Sequence, residues 1–207
     1  MDTSKLARLG GVAAALGGLM LVLYNATELA LFTGAPLSDL STRPGWVPFQ
    51  VIGVFGSVVI VLGLIALYSR QAERAGWLGL VGFVVSLAGA LGYSGASWAA
   101  AYIVPPVSRV APSIVDGPDQ LVGAGLISTI LLAAVGWILF GIATIRAGVF
   151  PRWTGILIIV ANVMPFILQP FGIPTQISPI ALGVAMIGMG YQILSSDLVP
   201  VRVPVHA

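Results

Sequence analysis

Residues 61–80 read VLGLIALYSRQAERAGWLGL. An apolar run stops at Ser69, Arg70 and Arg74 follow, and a second apolar run opens at Gly76. A crossing of the hydrocarbon layer takes about 20 apolar residues, so the two arginines mark a connection between two spans, at about residues 48–69 and 76–104. Working outward, the same pattern yields one span before them, at about 9–32, and three after them, at about 120–145, 153–169 and 177–194. The expected fold is all-α: a polytopic membrane bundle of six transmembrane helices forming a single domain over residues 1–207.

Composition agrees. Hydrophobic residues make up 58% of the chain and charged residues 8%, and mean hydropathy is +1.04, which a domain with a water-facing polar exterior could hardly sustain. The net charge is only +2, and the bases stand at helix ends instead of clustering, so nucleic acid is not an expected partner. With no cysteine, disulfides, thiolate nucleophiles, iron–sulfur clusters and cysteine zinc sites are excluded. The single histidine, His206, excludes a bis-histidine haem. No cofactor or metal is expected.

The bases set orientation. Lys5, Arg8, Arg70, Arg74, Arg146, Arg152 and Arg202 fall at the N-terminus, in the second and fourth connections, or in the C-terminal tail, leaving Arg43 and Arg109 on the other side. Both termini are therefore expected in the cytoplasm, and the protein in the cell membrane. Lys5 and Arg8 before an apolar run resemble a secretory signal, but that run is too long for one and reads as an uncleaved anchor. The outer loops, 33–47 and 105–119, carry Pro36, Pro44, Pro105, Pro106, Pro112 and Pro118. They should form stiff turns, with an interfacial turn around residues 38–43.

Small residues recur in the spans, where close approach supplies association that lipid does not. Span three has Ala88, Gly92, Ala96 and Ala100, beside Gly82, Ser86, Ala90 and Ser94, which suggests a central helix. Span one has Gly10, Ala14 and Gly18; span six has Val184 and Gly188 beside Ala181 and Ala185. A weak repeat relates Gly63 to Arg70 and Trp77 to Gly79 with Gly141 to Arg146 and Trp153 to Gly155. It would be a parallel duplication, unless anchors and interfacial tryptophans have merely converged on one pattern.

Ala7-Arg8-Leu-Gly-Gly11 opening span one, the Gly63 to Arg70 exit of span two, and Pro151-Arg152-Trp153 opening span five resemble a broad pool of uncharacterised bacterial six-span integral membrane proteins. The resemblance implies topology and a bacterial inner-membrane setting, and carries no activity with it.

Glu28 is the one carboxylate inside a span, and helical spacing puts Tyr24 and Asn25 on its face. Intramembrane acids are candidates for function by default. At about 28 Å along the helix from Leu9, Glu28 is near the outer boundary, where water, Arg43 or Arg109 could satisfy it; alternatively it lines an outward-facing pocket. Asn162 lies mid-span with Pro165 beyond it, and the proline should free the Ala161 carbonyl. The two would form a binding notch, or Asn162 would bond across to Ser86, Ser128 or Thr129. Trp98, Tyr102 and Gln169 are further candidates for ligand binding near the outer interface, although an aromatic belt also explains the two rings. Asp39, Asp116 and Asp119 could hold a cation only if the outer loops gathered them. Gly53 and Gly56 follow no strand and form no phosphate loop.

Charge is missing at mid-depth, where pumps, redox carriers and ion channels need it. Three functions remain. The leading expectation is a non-enzymatic protein that binds or moves a small hydrophobic molecule or lipid in an outward-facing pocket near Glu28. The alternatives are an accessory subunit with a membrane-protein partner or a homo-oligomer, and an intramembrane enzyme using Glu28 as general acid.

Overall fold

The computed structural model describes residues 3–196; Arg202 and His206, used above, lie outside the described residues. The elements are α1 (Thr3–Leu31), α2 (Leu37–Ser41), α3 (Trp46–Tyr102), α4 (Val104–Val110), α5 (Pro112–Asp116), α6 (Gln120–Ala147), α7 (Arg152–Leu168), a 3-10 turn (Gln169–Phe171) and α8 (Ile177–Ser196). Among the described residues there is no strand, and five helices, α1, α3, α6, α7 and α8, are long and apolar enough to cross a membrane.

The longest of these, α3, takes in both of the spans that flank Arg70 and Arg74. Its 57 residues would reach about 86 Å if straight. Yet Trp46 Nε1, at one end, donates to the Ala100 carbonyl at the other, 2.8 Å away, so α3 is a hairpin. It reverses at Gly76, whose backbone (φ 58°, ψ −158°) is non-helical and which, lacking Cβ, accepts the positive φ. Its arms, residues 46–75 and 77–102, run antiparallel.

The outer loops are more regular than stiff turns. The expected interfacial turn is α2, and the proline-rich loop holds α4 and α5. Pro105 or Pro106, and Pro112, occupy the first turns of those helices, where a missing N–H breaks no intrahelical bond.

Around the bundle, each segment packs antiparallel on the next. The first arm of α3 lies on α1 through Gly63 and Ala14, and α1 lies on α8 through Gly18 and Gly183. Helix α8 meets α7 where Gly188 receives Trp153, α7 meets α6 at Gly155 and Gly141, and α6 meets the second arm of α3 at Gly136 and Ser86. The expected seams are real in part, since Gly10 and Gly18 of span one face neighbours, but Val184 is exposed. In span three the residues that pack on α6 are Gly82, Ser86, Gly89 and Gly92, so the expected stripe is met at Gly92 and the adjoining row at Gly82 and Ser86. That helix is not central: Val84, Leu91 and Trp98 are exposed along its opposite side, because the bundle is a ring and its core is filled by side chains. The two hairpins of the weak repeat also pack differently. Gly141 meets Gly155 of its own hairpin, whereas Gly63 meets Ala14 of α1.

The main core lies toward the ends that carry Arg8, Arg70, Arg146 and Arg152. It joins Ala14, Leu64, Leu67, Trp137, Phe140, Ile158, Met186 and Met189. The α6–α7 turn is tucked into it: Phe150 is buried in this cluster. Gln192 Nε2 donates to the Val149 carbonyl at 3.2 Å, and Gln71 Nε2 donates to Thr144 Oγ1 at 3.2 Å. Thr144 passes its own proton to the Phe140 carbonyl.

Candidate functional site

An α-helix turns about 700° in seven residues, so positions seven apart share a face with only about 20° of drift. Four such rows begin in the packed half of the bundle and emerge in the other half. On α6, Phe140 (0% exposed) and Ala133 (6%) are followed by Leu126 at 48%; the adjoining row runs from Trp137 (4%) to Ile130 (40%) and then Gly123, which has nothing within 4 Å of a built Cβ. On α3, buried Gly79 and Ser86 lead to Tyr93, about half exposed. On α1, fully buried Ala14 and core-packed Leu21 lead to Glu28, which is partly exposed. Faces that fill the core at the basic end thus border open space at the other.

Glu28 stands one turn before the end of α1. Its recorded partner is the amide of Gln176, whose Nε2 donates to Oε1 at 3.4 Å, a long bond. The phenols of Tyr24, on α1, and Tyr93, on α3, lie within reach of its charge. Among the described residues no ion pair reaches Glu28; Arg43, one expected partner, donates instead to the Leu31 carbonyl.

Tyr24 and Asn25 share the helix with Glu28 but make their hydrogen bonds elsewhere. Tyr24 stacks on Phe49 (centroids 4.2 Å, planes 8° apart) and donates to Gln50 Oε1 at 2.9 Å, with Ser97 also in hydrogen-bonding reach. Asn25 is buried and donates to the Leu21 carbonyl of its own helix. Both are therefore committed to packing α1, since a buried amide or phenol must find a partner and a neighbouring element supplied it first.

Trp98 and Tyr102 lie against each other on an exposed face of α3, and Gln169 is exposed in the 3-10 turn; no recorded contact brings these three to Glu28. Asn162 donates to the Ile158 carbonyl within α7, at 2.9 Å, in place of a bond across to Ser86, Ser128 or Thr129. The carbonyl of Ala161, released by Pro165, is taken by the hydroxyl of Ser178 on α8. The proline's backbone vacancy thus serves as a helix–helix tie, beside a small cavity lined by Met164, Pro165, Leu168, Pro174 and Ser178.

Residues that sequence reasoning passed over include Gln50, Tyr93, Ser97, Leu126 and Gln176. Tyr93 was signalled by its seven-residue spacing from Ser86. The amides carry no such mark.

The two proline-rich loops, 33–47 and 105–119, are fastened to each other by hydroxyls and a carboxylate. The Asp116 carboxylate accepts from the Ser38 amide (3.0 Å) and the Ser38 hydroxyl (2.5 Å), and Ser41 and Ser108 share a hydrogen bond of 2.8 Å. The hydrogen bonds from the Ser38 side chain and backbone hold the exposed Asp116 carboxyl below its ordinary pKa. Asp119 caps α6 through the Val122 amide. The acids are thus spent on loop and helix ends, and among the described residues no group of three acidic, histidine or cysteine side chains could hold a metal. No protein-family model, curated protein or solved structure matches this chain.

Proposed function

We propose that this is a six-crossing protein of a bacterial cell membrane, with both termini cytoplasmic, that binds or moves a small hydrophobic molecule or lipid through a chamber opening outward beside Glu28. The observation that carries this reading is that helix rows buried in the core toward the basic end become exposed at Tyr93 and Leu126 and partly so at Glu28. The α3 hairpin supports six crossings, because its two arms count as two beside α1, α6, α7 and α8. The general-acid alternative draws no support from the site, since Tyr24 and Asn25 are engaged elsewhere.

The test is native mass spectrometry of wild type and Glu28→Gln purified in mild detergent. Wild type should retain a small molecule or lipid that the variant loses; equal retention would remove the role given to Glu28. Because the chain lacks cysteine, orientation can be read from single introduced thiols. Thr42→Cys should react with an impermeant maleimide on intact cells, and Arg74→Cys only after permeabilisation.

A further inference from the structure

The α6–α7 hairpin carries both of its arginines on one side. The two backbones meet at Gly141 and Gly155, where a Cβ built on either would lie 2.9 or 2.8 Å from the other's carbonyl oxygen. Arg146 follows that crossing on α6 and Arg152 precedes it on α7, so both stand toward the basic end, within about 3 Å of one level. Nine residues turn a helix by about 900°, half a revolution beyond two full turns. Arg146 is therefore opposite Trp137, and Arg152 opposite Ala161, and both of these are buried in the main core. The arginines themselves are exposed and head the outer face of the hairpin. Farther along the same two lines, within about 20° of each arginine, come exposed Val135 and Val163, with exposed Ile156 on the way. The distance from Arg152 to Val163 is about 16 Å, close to one leaflet's share of a hydrocarbon core about 30 Å thick.

Charge on this face is of one sign. Residues 120–196 contain no aspartate or glutamate, and among the described residues neither arginine is paired with a carboxylate. The α3 hairpin, at the same end, has Glu73 between Arg70 and Arg74. Two guanidinium groups heading apolar rows are complementary to a phosphate that carries acyl chains, since the guanidinium fork matches phosphate oxygens. We infer that the outer face of the α6–α7 hairpin seats one anionic phospholipid from the leaflet at the basic end. Its phosphate lies between Arg146 and Arg152 and its chains along Ile156, Val163 and Val135. This rests on the membrane reading above and requires nothing of Glu28.

The experiment uses the full chain in dodecylmaltoside, with binding of dioleoylphosphatidylglycerol and dioleoylphosphatidylcholine titrated by native mass spectrometry. Wild type should bind phosphatidylglycerol about tenfold more tightly than phosphatidylcholine. Arg146→Gln with Arg152→Gln should bring phosphatidylglycerol to the phosphatidylcholine level and leave phosphatidylcholine unchanged, which also shows that the variant is folded. Arg8→Gln with Arg74→Gln removes as much charge from the same end and should keep the preference, as should Glu28→Gln. Glycerol phosphate at the concentration of the lipid should not compete. Equal affinity for the two lipids in wild type, or an unaltered preference in the Arg146 and Arg152 variant, would overturn the site. Equal loss in both arginine pairs would overturn it too, by showing attraction to basic charge at large. Competition by glycerol phosphate would overturn the part given to the acyl chains, and loss of the preference in Glu28→Gln would overturn the placement on this face. Preference and retention are read separately, so failure of the outward-facing site leaves this one standing.

Discussion

The two ends of the bundle are made from the same helices and packed in opposite ways. At the basic end, backbones touch: a Cβ at Gly136 would collide with the Ser86 backbone, and Phe150 fills the centre. At the far end the same rows, one or two heptads along, carry Tyr93, Leu126 and Glu28 into open space. The difference teaches that a membrane helix need not pack along its whole length. Without a hydrophobic drive between helices, backbones meet where small residues allow it. At the far end contact passes to large side chains, with Phe32, Leu40, Trp46 and Phe49 clustered beside Tyr24 and Ala100.

The contrast is broken most directly by adding side chains at each end. Gly136→Leu should prevent α3 and α6 from meeting and cost more than about 4 kcal/mol, seen as loss of monodisperse protein on size exclusion, whereas Gly123→Leu should change stability by less than about 1 kcal/mol. Equal damage from both would mean that the far end is as tightly packed as the basic end. Next in size, Phe150→Ala should leave a cavity costing about 3–5 kcal/mol, measured by denaturant titration in detergent.

A smaller effect tests the tie between α7 and α8. Ser178→Ala should cost about 1–2 kcal/mol by leaving the Ala161 carbonyl without its partner. In a Pro165→Ala background, where residue 165 regains its N–H and can satisfy that carbonyl, the same change should cost almost nothing. A double-mutant cycle in thermal unfolding reads the coupling.

The smallest effect concerns the outer loops. Asp116 has a lowered pKa in the folded protein, so its contribution is fully present above the ordinary carboxylate range and is lost as pH falls through the folded value. Pepsin cleavage within residues 33–47 should therefore rise over that acidic interval in wild type. In Asp116→Asn it should be high throughout. A flat wild-type profile would show that Asp116 does not fasten the loops.

Much of the fold is legible in the chain. Runs of apolar residues and the arginines at 70 and 74 place the helices, and the break at Gly76 falls where the second of two spans was expected to begin. The site is less legible. Glu28 stood out because a carboxylate in an apolar run is rare, but its neighbours were chosen by spacing along one helix, and Tyr24 and Asn25 found partners elsewhere. Nearly every position in these helices is apolar, so no alternation of polar and apolar residues marks the face that turns inward. Gln50 and Gln176 come from other segments and could be assigned only by contact.

Local chemistry, written residue by residue, settled which stretches become lipid-compatible helices and where they stop: backbone groups in hydrocarbon must bond within a helix, and arginine resists burial there. Only the tertiary arrangement decided which rows meet, that Ser178 replaces the bond Pro165 removes, and that one core cluster forms at the basic end and another around Phe32, Trp46 and Phe49. Those outcomes depend on distances between segments far apart in the chain, and a uniformly apolar sequence carries no local record of them.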